Sequence, residues 1–312
     1  MEKKAARRRP AQLSLAIALA ILMAVLSIAR PAFLSPANLI NLLRQISING
    51  ILAVGVTYVL LTGGVDLSLG SVVALTGVVA AHLAHPAELP ALAVLAGILA
   101  GGVCGAVNGF VITRGRVAPF IATLGMMTAA RGLALLASGG RPVSNLAEGF
   151  TRIGSGDVAS IPVPVLVLFA VALVSRVVLR NMRLGRRIYA VGGNEHAARA
   201  SGVNVRAIKM WAYTICGALA GLAGVVLAAR ITTGQPNAGI GYELDAIAAV
   251  VIGGTSLNGG VGGVGGTILG ALLMGVINNG LDLLNVSSYY QQVVKGAIIV
   301  GAVWLDRSKD KS

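Results

Sequence analysis

Apolar residues in this chain run in long blocks, not in the alternating or three-to-four-residue stripes of a soluble domain. Blocks near the ~20 residues needed to cross a hydrocarbon core fall at about 13–29, 46–62, 91–112, 119–138, 161–179, 209–229, 267–284 and 289–305. Two more, at 70–84 and 244–257, are too short to cross comfortably. They read as tilted segments or as parts of broken helices. The pattern predicts an all-α, polytopic membrane protein with about ten transmembrane helices, some short or broken.

The polar breaks between blocks give the orientation. With the N-terminus inside, the inner segments are 1–12, 63–69, 113–118, 180–208, 258–266 and 306–312, and they carry sixteen Lys and Arg. The outer loops carry five: Arg30, Arg44, Arg141, Arg152 and Arg230. Such a bias places the basic loops, and here both termini, in the cytoplasm. The basic start followed by an apolar run ending in Ser27-Ile28-Ala29 also mimics a signal peptide. In a chain that then crosses repeatedly, we expect it to be retained.

Composition agrees. Of 312 residues, 56% are hydrophobic and 12% charged, with mean hydropathy +0.83. Charged residues are about 25% of an average globular chain, so a disordered chain and an ordinary soluble enzyme are excluded. The net charge of +14 would by itself suggest nucleic acid. Its concentration on inner loops makes it topology, with membrane lipid and not nucleic acid as the expected surface. Cys104, Cys216 and three scattered histidines make no disulfide framework or metal site. There is no Ser–His–Asp set and no pair of catalytic carboxylates, so no catalytic residue is assigned. No GxxxxGK[ST] run is present, and ATP-driven work would fall to a partner. Gly260–Gly265 satisfies GxGxxG with Asp282 downstream, but a membrane helix between them would put Asp282 across the bilayer.

Small residues four apart mark close helix packing: Gly101, Gly105 and Gly109, then Gly217 and Gly221, then Gly262, Gly266 and Gly270. Ionisable residues near spans are functional candidates. Asp66 lies in Gly64-Val65-Asp66-Leu67-Ser68, and Glu243 and Asp245 in Gly241-Tyr242-Glu243-Leu244-Asp245. The two segments resemble each other, each leading into one of the short apolar runs. That hints at two related halves with a transport site at their breaks. Equally, these acids suit helix N-termini as caps. Arg131 and Lys295 are candidates to pair with acids inside the bundle.

The inner segment 180–208 is the longest polar stretch. Asn194 suits an N-cap, Glu195 the first turn and Gly202 a C-terminal stop. A two-turn helix over 194–202 follows, placed to dock on a soluble partner; the alternative is a basic loop lying on anionic headgroups.

At this point the sequence resembles a known family. Gly185-Arg186-Arg187-Ile188-Tyr189-Ala190-Val191-Gly192-Gly193-Asn194-Glu195, with Ala197-Ala198-Arg199-Ala200-Ser201-Gly202, is similar to the coupling loop of the ribose-type sugar ABC transporter permeases. The resemblance extends through Gly64–Ser68, Pro119-Phe120-Ile121-Ala122-Thr123-Leu124, Gly241–Ser256, Asn278-Asn279-Gly280-Leu281 and Val286–Gln291. It implies one permease domain over 1–312, with cytoplasmic tails 1–12 and 306–312 and a coupling loop at 180–208. Gly193, Asn194, Glu195, Ala198, Arg199 and Gly202 are then the ATPase-coupling residues. Asp66, Ser68, Phe120, Thr123, Glu243 and Asp245 are the substrate-pathway or helix-break candidates.

The implied system is an importer in the bacterial inner membrane, moving ribose or a similar monosaccharide from periplasm to cytoplasm. Its partners would be a second permease copy, a periplasmic sugar-binding protein and a cytoplasmic ABC ATPase. This chain would hold no cofactor; ATP and Mg would sit on the ATPase. A nucleoside or branched-chain amino acid permease of the same superfamily remains an alternative, as does an ion-coupled transporter using Asp66, Glu243 or Asp245. One departure is Val261-Gly262-Gly263 after Gly259-Gly260, where the family commonly has a basic residue.

Overall fold

The computed structural model describes residues 2–85 and 89–309, with side chains from Leu13 to Gly301; Met1, 86–88 and 310–312 lie outside it, as do the side chains of both expected tails. Helices dominate: α1 (Glu2–Ala29), α2 (Pro36–Leu61), α3 (Leu69–His82), α4 (Pro90–Thr113), α5 (Pro119–Ser138), α6 (Glu148–Ser155), α7 (Val163–Asn181), α8 (Arg183–Gly193), α9 (Glu195–Ala200), α10 (Val205–Ile231), α11 (Tyr242–Ile252), α12 (Val264–Leu283) and α13 (Ser288–Lys309). A two-residue antiparallel hairpin, β1 (Asp157–Val158) with β2 (Ile161–Pro162), follows α6.

Each of the ten apolar blocks falls on a helix. Among the described residues, α2, α4, α5, α7, α10 and α12 are long and apolar enough to cross a membrane. Proline at the first position opens α2, α4 and α5, where its missing N–H costs nothing. The second block was expected to begin near 46, yet α2 begins ten residues earlier. Ser35 caps it, accepting from the Asn38 N–H, and its first turns carry Asn38, Asn41 and Arg44, which an apolar-run reading passes over.

The two short blocks are short helices. α3 has 14 residues and α11 has 11, or about 21 and 16 Å at 1.5 Å per residue, against a core of roughly 30 Å. Each is preceded by non-helical chain, 62–68 before α3 and 232–241 before α11. The second of these runs antiparallel along α3: Gly234 packs on Ala81 and Gly77, and Gly239 on Gly70. The N-termini of two half-helices are thereby brought together from opposite ends of the molecule. The expected two-half likeness of the Asp66 and Glu243 segments thus has a spatial counterpart.

The core is built on α10, which packs along α4, α3 and α2. The predicted small-residue stripes form its tightest seam. A Cβ on Gly101 would collide with the carbonyl oxygen of Gly217, and one on Gly105 with that of Tyr213. Backbones this close gain dispersion energy that side chains could not supply in lipid. Ile51, Val56, Val72, Cys216, Ala220 and Val226 fill the space around that seam, and both cysteines are buried and free. At the edge, α13 packs against α11.

Replacing Gly217 by leucine is expected to cost at least the ~1–3 kcal/mol typical of overpacking. Gly102→Ala, whose new methyl would lie 3.7 Å from Ala218 Cβ, is expected to be neutral. Denaturation midpoints of the purified protein in detergent test the pair.

Candidate functional site

Three inner segments of the sequence reading converge at one end of the molecule: the chain after α2, the α8–α9 unit and the loop 253–263. The expected helix over 194–202 is present as α9. Asn194 caps it by accepting from the Ala197 N–H at 2.9 Å, and Gly202 lies beyond its end at φ +80°, the left-handed geometry suited to glycine. Ala198 is buried, packed with Tyr58, Leu61, Ile188 and Val205. A Cβ on Gly193 would meet open space, although Gly260 packs against its backbone. Glu195 ties the helix down, accepting from Arg199 at 3.0 Å and from Lys209 of α10 at 2.6 Å.

The Lys209 ammonium and its hydrogen bond hold the Glu195 carboxyl below the usual carboxylate range. A depressed carboxylate pKa contributes stability above the unfolded value and loses it as pH falls through the folded one. The Glu195–Lys209 tie therefore persists at neutral pH and opens only in acid below the ordinary glutamate range.

A second helix of this unit was not anticipated. Residues 183–193, read as basic loop, form α8. Ile188 and Val191 are buried on it, and Leu184 packs beside them. That spacing of 184, 188 and 191 marks one helix face, and it was obscured by the arginines between.

At the interior break, Asp66 is buried. Its carboxylate accepts from the Ser68 N–H at 2.9 Å and the Ser68 hydroxyl at 2.6 Å. Ser68 Oγ in turn accepts from Asn108 at 3.1 Å. Asp66 thus closes the turn that leads into α3 at Ser68, whereas the N-cap position itself makes no side-chain cap hydrogen bond, so Asp66 is not the helix cap that the sequence suggests. Glu243 lies in the first turn of α11 with its carboxylate against Gly70. Arg131 does not reach an acid with a hydrogen bond. It donates instead to the carbonyls of Pro236 at 2.5 Å and Ala238 at 2.9 Å, holding the chain that precedes α11.

Asp245 belongs to a different cluster. Its Oδ2 accepts from Lys295 of α13 at 2.8 Å and from Asn278 of α12 at 3.3 Å, so the expected pairing of Lys295 with an acid is found. Oδ1 of Asp245 and Oδ1 of Asn278 are buried without a partner. Next along α12, Asn279 exchanges two amide hydrogen bonds with Asn38 of α2, at 2.8 and 3.0 Å. In the sequence Asn278-Asn279 stands only within the family likeness; two adjacent amides inside an apolar helix are the signal that marks them.

The remaining candidates are not drawn into either cluster. Thr123 is buried and donates back to Pro119 of its own helix at 2.9 Å. Phe120 is 54% exposed and faces away from the chain. The GxGxxG run lies partly in the loop 253–263, and α12 separates it from Asp282, which accepts from Gln291 at 2.8 Å. About 18 residues of helix put them roughly 27 Å apart, which excludes a shared nucleotide. Among the described residues no group of His, Cys, Asp and Glu is placed to hold a metal.

Comparison with known proteins agrees with this architecture. The family described as "Branched-chain amino acid transport system / permease component" matches residues 38–303. The ribose import permease of Bacillus subtilis (strain 168) is 48% identical over 295 residues, covering 94% of this chain and 92% of its own. That of Escherichia coli (strain K12) is 49% identical over 300 residues, with 94% and 92% covered. The D-allose transport permease of the same strain is 41% identical over 291 residues, with 93% and 89% covered. No solved structure matches. The chain belongs to this permease family, on its ribose-type sugar ABC branch, and is a multi-pass membrane protein.

Lys295→Met leaves Asp245 buried and uncompensated, which is expected to cost about 3 kcal/mol. The double variant Asp245→Asn/Lys295→Met is expected to recover most of that loss in detergent unfolding.

Proposed function

We propose that this chain is the transmembrane subunit of an ATP-driven importer carrying ribose, or a sugar close to it, from periplasm to cytoplasm. The carrying observation is α9: a capped, charged helix at the end where the basic residues gather, fixed by Glu195 to Lys209 of the central helix α10. Such a helix suits the receipt of force from a soluble partner. That partner is a cytoplasmic ABC ATPase holding ATP and Mg. A periplasmic sugar-binding protein delivers the sugar, and two copies of the chain enclose the path in the inner membrane, with both termini cytoplasmic.

The interior fits a neutral polyol. Asp245 is neutralised by Lys295, and Asp66 is held within its own turn by Ser68. Neither is offered to a driving cation, which argues against ion coupling through these two acids. The names of the relatives, ribose, allose and arabinose permeases, support a small monosaccharide over a nucleoside or amino acid. Asp66, Ser68 and Glu243 set the geometry of the break; on α5 the exposed Phe120 is the candidate to face the path, while Thr123 is buried within the helix packing. Gly193, Asn194, Glu195, Ala198, Arg199 and Gly202 form the coupling element.

Reconstituted with the cognate ATPase and binding protein, the chain is expected to take up ribose only with ATP on the ATPase side. Uptake by the chain alone on an ion gradient would falsify the proposal. Replacing Glu195 and Arg199 by alanine is expected to cut uptake by about tenfold or more, with insertion unchanged and ATP still hydrolysed. Normal uptake by that variant at normal abundance removes α9 from the mechanism.

A further inference from the structure

We infer that Gly192 and Tyr189, at the C-terminal end of α8, form a joint that carries movement of α9 to both interrupted helices at once; this rests on reading α9 as the coupling helix. Three chain segments meet there by backbone alone. The Leu61 carbonyl, at the last residue of α2, accepts from the Gly260 N–H at 3.0 Å. Gly192 packs directly on that bond: a Cβ there would collide with the Leu61 oxygen and would stand 2.5 Å from the Gly260 nitrogen. Gly259 lies against both Gly192 and the Gly63 nitrogen. Gly63, Gly259 and Gly260 all have positive φ, at +76°, +87° and +70°. One turn earlier, the Tyr189 hydroxyl donates to the Gly262 carbonyl at 3.0 Å.

The positions of these contacts give them consequence. Leu61–Gly63 leads into the 62–68 stretch and α3; the loop 253–263 follows α11. The N-terminal end of α3 in turn meets the chain just before α11, Gly70 against Gly239. On the opposite side, a single extended residue, Asn194, separates α8 from α9, and its side chain caps α9. Ile188 and Val191 bury α8 against Tyr58 and Leu61 of α2. Displacement of α9 therefore moves α8, and at Gly192 no deformable side chain stands between α8 and the two breaks. Packed backbone transmits a shift that a flexible side chain would absorb. Gly192 and Tyr189 are positioning residues: they touch neither sugar nor nucleotide.

The test uses the assembled importer in liposomes, with sugar transported and ATP hydrolysed measured together at equal reconstituted amounts. Gly192→Ala forces Leu61 and Gly260 apart. Maximal uptake is expected to fall about tenfold with hydrolysis changed less than about twofold, and the binding-protein concentration for half-maximal uptake unchanged. Tyr189→Phe, which removes one hydroxyl, is expected to lower the sugar-to-ATP ratio by about two- to fivefold. It decides the matter if Gly192→Ala does not accumulate. Gly265→Ala, whose new methyl meets open space, is expected to keep the parental ratio. A parental ratio in both joint variants, or uptake and hydrolysis falling together, overturns the inference. If the Glu195/Arg199 variant uncouples while the joint variants do not, the joint alone fails. If none uncouples, the coupling reading fails and the joint with it.

Discussion

A bilayer offers no water to an open backbone, so a helix interrupted inside it has to find partners for the freed groups within the protein. Much of this structure answers that demand at two places. Around 62–68, Asp66 takes the Ser68 N–H and the Tyr213 hydroxyl donates to the Val65 carbonyl. Around 232–241, Arg131 takes two carbonyls and Gly234 pairs with Val143 in an isolated bridge. The donors come from different helices: Tyr213 from α10 and Arg131 from α5. The long helices thus act as walls that make non-helical chain tolerable between them, and the close α4–α10 seam brings Tyr213 and Asn108 within reach.

Charge inside the molecule follows the same economy. A lone Lys or Asp at mid-bilayer is costly, by ~2.5–3.5 kcal/mol on insertion scales. Asp245 and Lys295 face one another, with Asn278 beside them. Asn279 turns the other way to Asn38. One dipeptide on α12 therefore binds its helix to α11 on one side and to α2 on the other. In lipid, where apolar contact gives no net drive for association, such amides supply direction and register.

Much of the fold was legible because each span announces itself by length. The ten blocks, the two short ones among them, all correspond to helices, and Gly101, Gly105, Gly217 and Gly221 named their own interface. The start of α2 was not legible, since its first turns are polar and its signal is a cap. α8 was hidden because arginines interrupt a face that needs only Leu184, Ile188 and Val191. At the site, the N-cap at Asn194 and the stop at Gly202 could be read locally. The Glu195–Lys209 tie and the Asp245–Asn278–Lys295 cluster could not, because they join residues 14 to 50 positions apart. Arg131 was expected to seek an acid, but the chain before α11 presents carbonyls nearer to it.

The Asp245–Lys295 pair also has a history written into its spacing. The two residues are 50 apart in sequence, and ribosomes add roughly 5–20 residues per second. The carboxylate is consequently made about 3–10 s before its counter-charge exists. During that interval α11 carries an acid with no cation beside it, and a short helix so burdened is better placed near water than at its final depth. Arrival of α13 supplies the charge and the cover together, so a helix made later in the chain is the one that lets α11 settle.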